Sequence, residues 1–176
     1  MTMELSTRPI ENMNQSEYLF TEALIEKRVH LPVHQITDKM ESHLIRHLKE
    51  RYANRCINEG FVLPSSIQMK NYSCGKITSQ GVHIVVTFLC KVCNPGTGIE
   101  VDCTVMDITK AGVHAVFTIP QEGVTPLSIY VLRDHDSRSE HFEKLQKGET
   151  VRLRILGTRF ELDDPMIQAV AEFISK

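Results

Sequence analysis

Cys90 and Cys93 stand in a Cys-Lys-Val-Cys spacing, and two thiolates so placed can share a tetrahedral metal ion or exchange through a disulfide. Their surroundings argue against both. Residues 82–92 alternate as a strand, which turns Cys90 to the side of Val86 and Phe88 and Cys93 to the other side. No second CxxC follows, and Cys74, Cys103, His83 and His114 would have to converge by folding to complete a ligand set. Packed free thiols are therefore the expected state, with no metal and no cofactor. A second collection, Asp134-His135-Asp136 with Ser137 and Ser139, has the residue types of a hydrolytic triad. It sits in a polar interval where composition alone supplies such residues, and no HExxH, GxSxG or Gly-rich phosphate loop accompanies it. His30, His43 and His47 read as surface or partly packed residues, so no catalytic residue is assigned.

Recognition is the better-supported chemistry. Lys110, His114, Arg152, Arg154 and Arg159 are candidate RNA contacts. The loops and one strand face of a small barrel can stack bases on rings while Lys and Arg hold phosphates. Charge limits the strength of such binding. Against 20 Lys and Arg stand 22 Asp and Glu, which leaves no broad cationic field of the kind that drives autonomous duplex binding. Residues 1–95 carry 11 Lys and Arg against 9 Asp and Glu, and residues 96–176 carry 9 against 13. The three arginines thus form a local positive group within an acidic half, and binding is expected to be weak alone or shared with partners. Five cysteines, odd in number and irregularly spaced, make no disulfide framework and suit a reducing compartment inside the cell. No secretory leader and no membrane-spanning run are expected.

Two modules must position these residues. Residues 1–17 are expected to form a flexible arm, 18–93 a first module and 94–176 a second. In the first, alternation predicts a strand over 20–31 closed by Pro32. Met40, Leu44, Leu48 and Tyr52 fall four apart and predict a helix, capped at Thr37 or Asp38 and ended by Gly60. Its polar face carries Lys39, Arg46, Lys49, Arg51 and Arg55, a solvated face in the first place and a nucleic-acid or partner surface in the second. Residues 61–63, 67–72 and above all 82–92 read as strands, so the module is an α+β arrangement of one long helix on an antiparallel sheet. Pro95, Gly96 and Gly98 form the interdomain hinge, the proline fixing direction and the glycines permitting a tight turn. In the second module strands are expected over 98–108, 112–119, 124–131 and 150–160, with 166–174 either a last strand or partly helical. Short strands with Gly turns predict a small antiparallel barrel.

The run Pro95-Gly96-Thr97-Gly98 continued to Lys110-Ala111-Gly112, together with Glu149-Thr150-Val151-Arg152-Leu153-Arg154-Ile155-Leu156-Gly157-Thr158-Arg159-Phe160, resembles the stalk subunit of multisubunit DNA-dependent RNA polymerases, the larger partner of the two-protein stalk in archaeal and eukaryotic enzymes. The strand ending at Pro32, the helix, and Cys74-Gly75-Lys76-Ile77 followed by Gly81 are similar to that family's tip domain, and the barrel to its S1-like OB-fold domain. The resemblance implies a noncatalytic accessory subunit. Gly60, Phe61, Gly75, Lys76 and Ile77 would dock on core polymerase subunits near the clamp, the barrel would guide emerging single-stranded RNA, and a smaller helical partner would share the stalk. It further implies residence in a polymerase complex. Few glycines in the first module point to a divergent viral member, in the virion and host cytoplasm or in the nucleus. His114 stands where many S1 domains carry an aromatic ring, and Pro126 where they often carry another, which argues against direct base stacking. The alternatives are a free-standing single-stranded RNA-binding protein and a protein-binding stalk module that has lost RNA contact.

Overall fold

Strands β1 (Phe20–Leu31) and β6 (Gly81–Cys93) run antiparallel along their whole length, from Phe20 opposite Cys93 to Leu31 opposite Val82. They belong to a computed structural model that describes residues 19–133, 142 and 145–174. The expected arm and the Asp134-His135-Asp136 interval with Ser137 and Ser139 lie outside the described residues. Along β6, Val82, Ile84, Val86, Phe88, Cys90 and Val92 are buried, and between them lie half-exposed residues and the exposed Lys91. This period-two pattern is that of a strand with one apolar face. The face packs against Leu44 and Leu48, the buried positions of helix α1 (Met40–Tyr52). Spacing by four keeps Tyr52 on the same stripe, and its ring stacks on Phe88 with centroids 5.8 Å apart.

Strands β2 (Cys56–Ile57), β3 (Gly60–Val62), β4 (Gln68–Tyr72) and β5 (Lys76–Thr78) complete a six-stranded sheet in the order β1-β6-β3-β2, with β4 and β5 also paired to β6. The helix does not run to Gly60. Asn54 takes a φ of 58° and the chain reverses, so that Cys56 and Ile57 pair with Phe61 and Gly60 in a short hairpin. Asn is among the few residues that tolerate this left-handed conformation at small cost. Cys56 therefore belongs to a strand. Neither Thr37 nor Asp38 is the N-cap; that position is Lys39, without a side-chain cap bond, and the Thr37 hydroxyl accepts a bond from the Lys39 N–H at 3.3 Å.

The second module is a closed barrel. Strands β7 (Glu100–Ile108), β8 (Gly112–Ile119), β9 (Val124–Leu132), β10 (Thr150–Arg159) and β11 (Ile167–Phe173) close in the order β10-β11-β9-β8-β7. Residues 167–173 are thus a strand, lying parallel to β9 and antiparallel to β10. One parallel pairing in an otherwise antiparallel five-stranded Greek-key barrel is the OB-fold arrangement. The chain is α+β, a helix on an antiparallel sheet followed by a small barrel, as its periodicities predict, and the barrel is of the S1-like OB type that the resemblance implies.

The two parts have a common core. Leu19, Cys56, Phe61, Leu63 and Cys93 from the first pack in one cluster with Val101, Leu153, Ile155 and the rest of the barrel interior. Hydrogen bonds tie the connection down: Gly98 N–H donates to Ile155 O at 2.7 Å, Ile155 N–H to Ile99 O at 2.9 Å, and the Thr97 hydroxyl to Leu156 O at 3.1 Å. Pro95 is buried, and Gly98 has a φ of 90°. The β10–β11 loop is held as well, through Cys56 N–H to Asp164 O at 2.8 Å and Asp163 N–H to Cys56 O at 2.9 Å.

Gly60 sits at the tightest point of this joint. Its φ is 137°, and a Cβ there would run into the Cys93 carbonyl and the Asn94 side chain. Gly60→Ala is expected to destabilise the chain by about 2 kcal/mol or more, since strain of that backbone region adds to a backbone clash. Phe61→Ala should cost about 3–5 kcal/mol, as for other buried aromatics. Urea midpoints check both, and an unchanged midpoint for either variant would mean that the joint is looser than its burial implies.

Candidate nucleic-acid interface

On the barrel surface, register brings two rings together. His114 on β8 lies opposite Tyr130 on β9, and their rings stack with centroids 4.9 Å apart and planes 17° from parallel. His114 Nε2 is 2.8 Å from the Ser128 hydroxyl. Ser128 is buried, so this bond both satisfies a polar group inside the barrel wall and sets the ring's orientation. Tyr130 remains 40% exposed. The pair borders an open groove of about 280 Å³ that also takes in Asp107, Thr109, Gly112 and Leu132. In OB folds the face of the second and third strands, with the loops after the first and fourth, receives oligonucleotides. Here those strands are β8 and β9.

The first of those loops carries Lys110. Thr109 and Gly112 exchange backbone hydrogen bonds, which makes Lys110-Ala111 the tip of a tight hairpin. Lys110 is exposed there and enters no ion pair among the described residues. At the groove's edge, Asp107 accepts a bond from Lys147, Nζ to Oδ1 at 2.6 Å. That ammonium and the Ile108 N–H hold the Asp107 carboxyl below its ordinary value. Among the described residues the groove therefore has apolar and aromatic walls, a free cation at its lip and a carboxylate that stays charged.

Arg152 and Arg154 lie elsewhere, on β10 against β7. Arg152 faces Asp102 across the ladder, with Nε to Oδ1 at 2.8 Å and Nη2 to Oδ2 at 3.2 Å. Arg154 lies between Glu100, at 3.1 Å, and Glu172, at 3.6 Å. Alternation puts 152 and 154 on one face, and the same alternation on β7 puts Glu100 and Asp102 opposite them. Exposed pairs of this kind are weak, but an arriving phosphate would still meet the carboxylates that hold the arginines. Arg159, at the end of β10, pairs with Glu161 at 3.3 Å. The structure thus stacks His114 on Tyr130 and puts Lys110 on the hairpin next to Ala111, which lines the groove, while Arg152, Arg154 and Arg159 are each paired with carboxylates.

Tyr130, the only Tyr near the candidate contacts in the sequence, is not among them, and the structure stacks it on His114. Counting outward from the β8–β9 turn pairs it with His114 once the one-residue irregularity between Phe117 and Ile119 is allowed for, and that irregularity carries no sequence mark. Of the residues expected to dock on a partner, Gly60 and Phe61 are inside the joint, Phe61 being fully buried. Gly75 precedes β5, and Lys76 and Ile77 lie on it, Ile77 being 82% exposed.

The cysteines divide as strand alternation requires. Cys90 packs into the core beneath α1 and Cys93 into the barrel core. Among the described residues no group of three or more His, Cys, Asp or Glu is placed to hold a metal ion. Burial pushes the Cys93, Cys56 and Cys103 thiols up to about 12 and Cys90 up to about 11, with Cys56, Asp164, Asp102 and Glu59 respectively adding to the effect. Cys74 alone of the cysteines is exposed. A thiol reagent at neutral pH is therefore expected to modify one thiol per native chain and all five only after unfolding. Because folding raises these values, the stability they share is full below the ordinary thiol value near 9 and falls as pH climbs toward 11 to 12. Urea midpoints at rising pH test the sign. No protein-family profile matches the chain, and no curated protein matches it.

Proposed function

We propose that the chain is a noncatalytic protein that binds single-stranded nucleic acid, RNA in the first instance, with the His114–Tyr130 pair as a base platform and Lys110 as its phosphate contact. The observation that carries this reading is the stacked, partly exposed ring pair on the β8–β9 face of an OB barrel. An unstacked base can extend such a stack whatever its identity, because every base has a π-face. With Lys110 as the cation available at the groove, affinity is modest and the salt dependence shallow, a slope of about −0.7 in log K against log salt for each phosphate neutralised on a single strand.

Anisotropy of a labelled oligouridine tests the assignment. Tyr130→Ala and His114→Ala should each weaken binding about 5- to 150-fold, the range that follows from about 1–3 kcal/mol per stacked base. Lys110→Gln should weaken it less and flatten the salt slope. Arg152→Gln with Arg154→Gln should have the smallest effect, because both arginines are already paired. Loss of binding in the arginine variant, with Tyr130→Ala unaffected, would move the interface to β10.

The finer reading is a stalk subunit of a multisubunit DNA-dependent RNA polymerase, docked near the clamp and guiding emerging transcript inside the cell. It rests on the resemblance of residues 95–112 and 149–160, and the common core supports it by holding the barrel in one direction relative to the sheet. Lys76 and the exposed Ile77 would then meet core polymerase subunits, with a smaller helical partner beside them. Ile77→Asp should reduce co-purification with polymerase and leave oligouridine binding intact. A chain that binds oligouridine but purifies without polymerase is instead a free-standing binding protein.

A further inference from the structure

A second basic site lies away from the barrel groove. Arg28, His30, His47, Arg51 and Tyr52 surround a pocket of about 200 Å³ where β1 meets the C-terminal half of α1, and among the described residues no carboxylate lines it. β1 is the outermost strand of its sheet, paired on one side only, so its edge is accessible to the helix side chains. His47 and Arg51 are four apart and therefore project together from α1. Gln35 anchors the His47 ring, its side-chain oxygen 2.9 Å from Nε2. His30 lies opposite His83 on β6, with ring centroids 4.9 Å apart.

The charges here are poorly compensated. Arg28 enters no ion pair among the described residues. Among the same residues Arg51 reaches only Asp163, at 3.8 Å and with both side chains exposed, a separation too long for a hydrogen bond. Arg28 and Arg51 line one pocket that no carboxylate lines among the described residues, and two such cations in one cavity favour an anion between them. Guanidinium forks match phosphate oxygens in pairs. The volume sets the size of the guest, since drug-sized ligands occupy about 300–1,000 Å³ and this pocket holds one phosphate with little more than the start of a sugar.

We infer that this pocket is a phosphate-binding site, independent of the base platform on the barrel, with Arg28 and Arg51 as the direct contacts. The phosphate can come from inorganic phosphate, the 5′ end of a strand or an internal phosphodiester. NMR of the full chain, following the Arg Nε–H signals, tests it with three probes: inorganic phosphate, a 5′-phosphorylated tetrauridylate and its 5′-hydroxyl counterpart. Inorganic phosphate should shift the Arg28 and Arg51 signals saturably. Arg28→Gln combined with Arg51→Gln should raise the half-saturating concentration, read from the His47 signals, about tenfold or more. Lys49→Gln, on an exposed part of α1 outside the pocket, should leave it unchanged, and so should Tyr130→Ala. A response to the 5′-hydroxyl strand identifies the internal diester as a ligand, and a response confined to the phosphorylated strand identifies the terminal group; either supports the site. Absence of a saturable shift with all three probes overturns it, as does a Lys49→Gln effect equal to that of the double variant. Failure of the barrel platform would appear separately, as oligouridine affinity insensitive to Tyr130→Ala.

Discussion

The end of strand β6 is the constraint on which the rest depends. From Val82 to Val92 its buried face belongs to the core under α1, and at Cys93 the next side chain enters the core of the barrel. One strand thus terminates one core and begins the other, and Phe61, directly opposite Cys93 on β3, follows it. Gly60 allows the close approach, because any side chain there would meet the Cys93 carbonyl. With apolar burial stabilising at roughly 25 cal/mol per Å², a joint that buries aromatic and aliphatic side chains and is pinned by backbone hydrogen bonds resists independent motion of the two parts.

That joint also governs what the barrel can bind with. In an OB barrel the loop after the fourth strand is available to ligands, but here it is engaged, its Asp163 and Asp164 backbone bonded to Cys56. On the proposed reading, recognition is left to the β8–β9 face and the Lys110 hairpin. A second limit comes from the β7–β10 ladder, whose register sets Asp102 against Arg152 and Glu100 against Arg154. A cluster of positive charge in the sequence becomes a neutral stripe in space, because strand pairing aligns opposite signs. Among the described residues Lys110 on the hairpin tip and Arg28 on β1 enter no ion pair.

Much of the architecture is legible in the residues alone. Period-two burial marks β1, β6 and the barrel strands, and spacing by four marks the buried side of α1, because these periods are the geometry of the backbone itself. Alternation also separates Cys90 from Cys93 without any knowledge of the fold. The helix end is less visible: Gly60 looks like a stop signal, yet the reversal occurs at Asn54 and depends on a hairpin whose partner strand must already be in place.

Sequence by itself determined most element types, the Pro/Gly connection between them and the separation of the two thiols, since each follows from local spacing, while residues 167–173 became a strand only through their pairing in the barrel. Tertiary structure decided which groups are free to act. Cross-strand register stacked His114 on Tyr130 and set carboxylates against Arg152 and Arg154, and the packing of the helix on the sheet brought Arg28 and Arg51 to one pocket although 22 residues separate them in the chain. Those pairings are non-local, and no period within a strand or helix encodes the identity of the side chain that a neighbouring element will set against it.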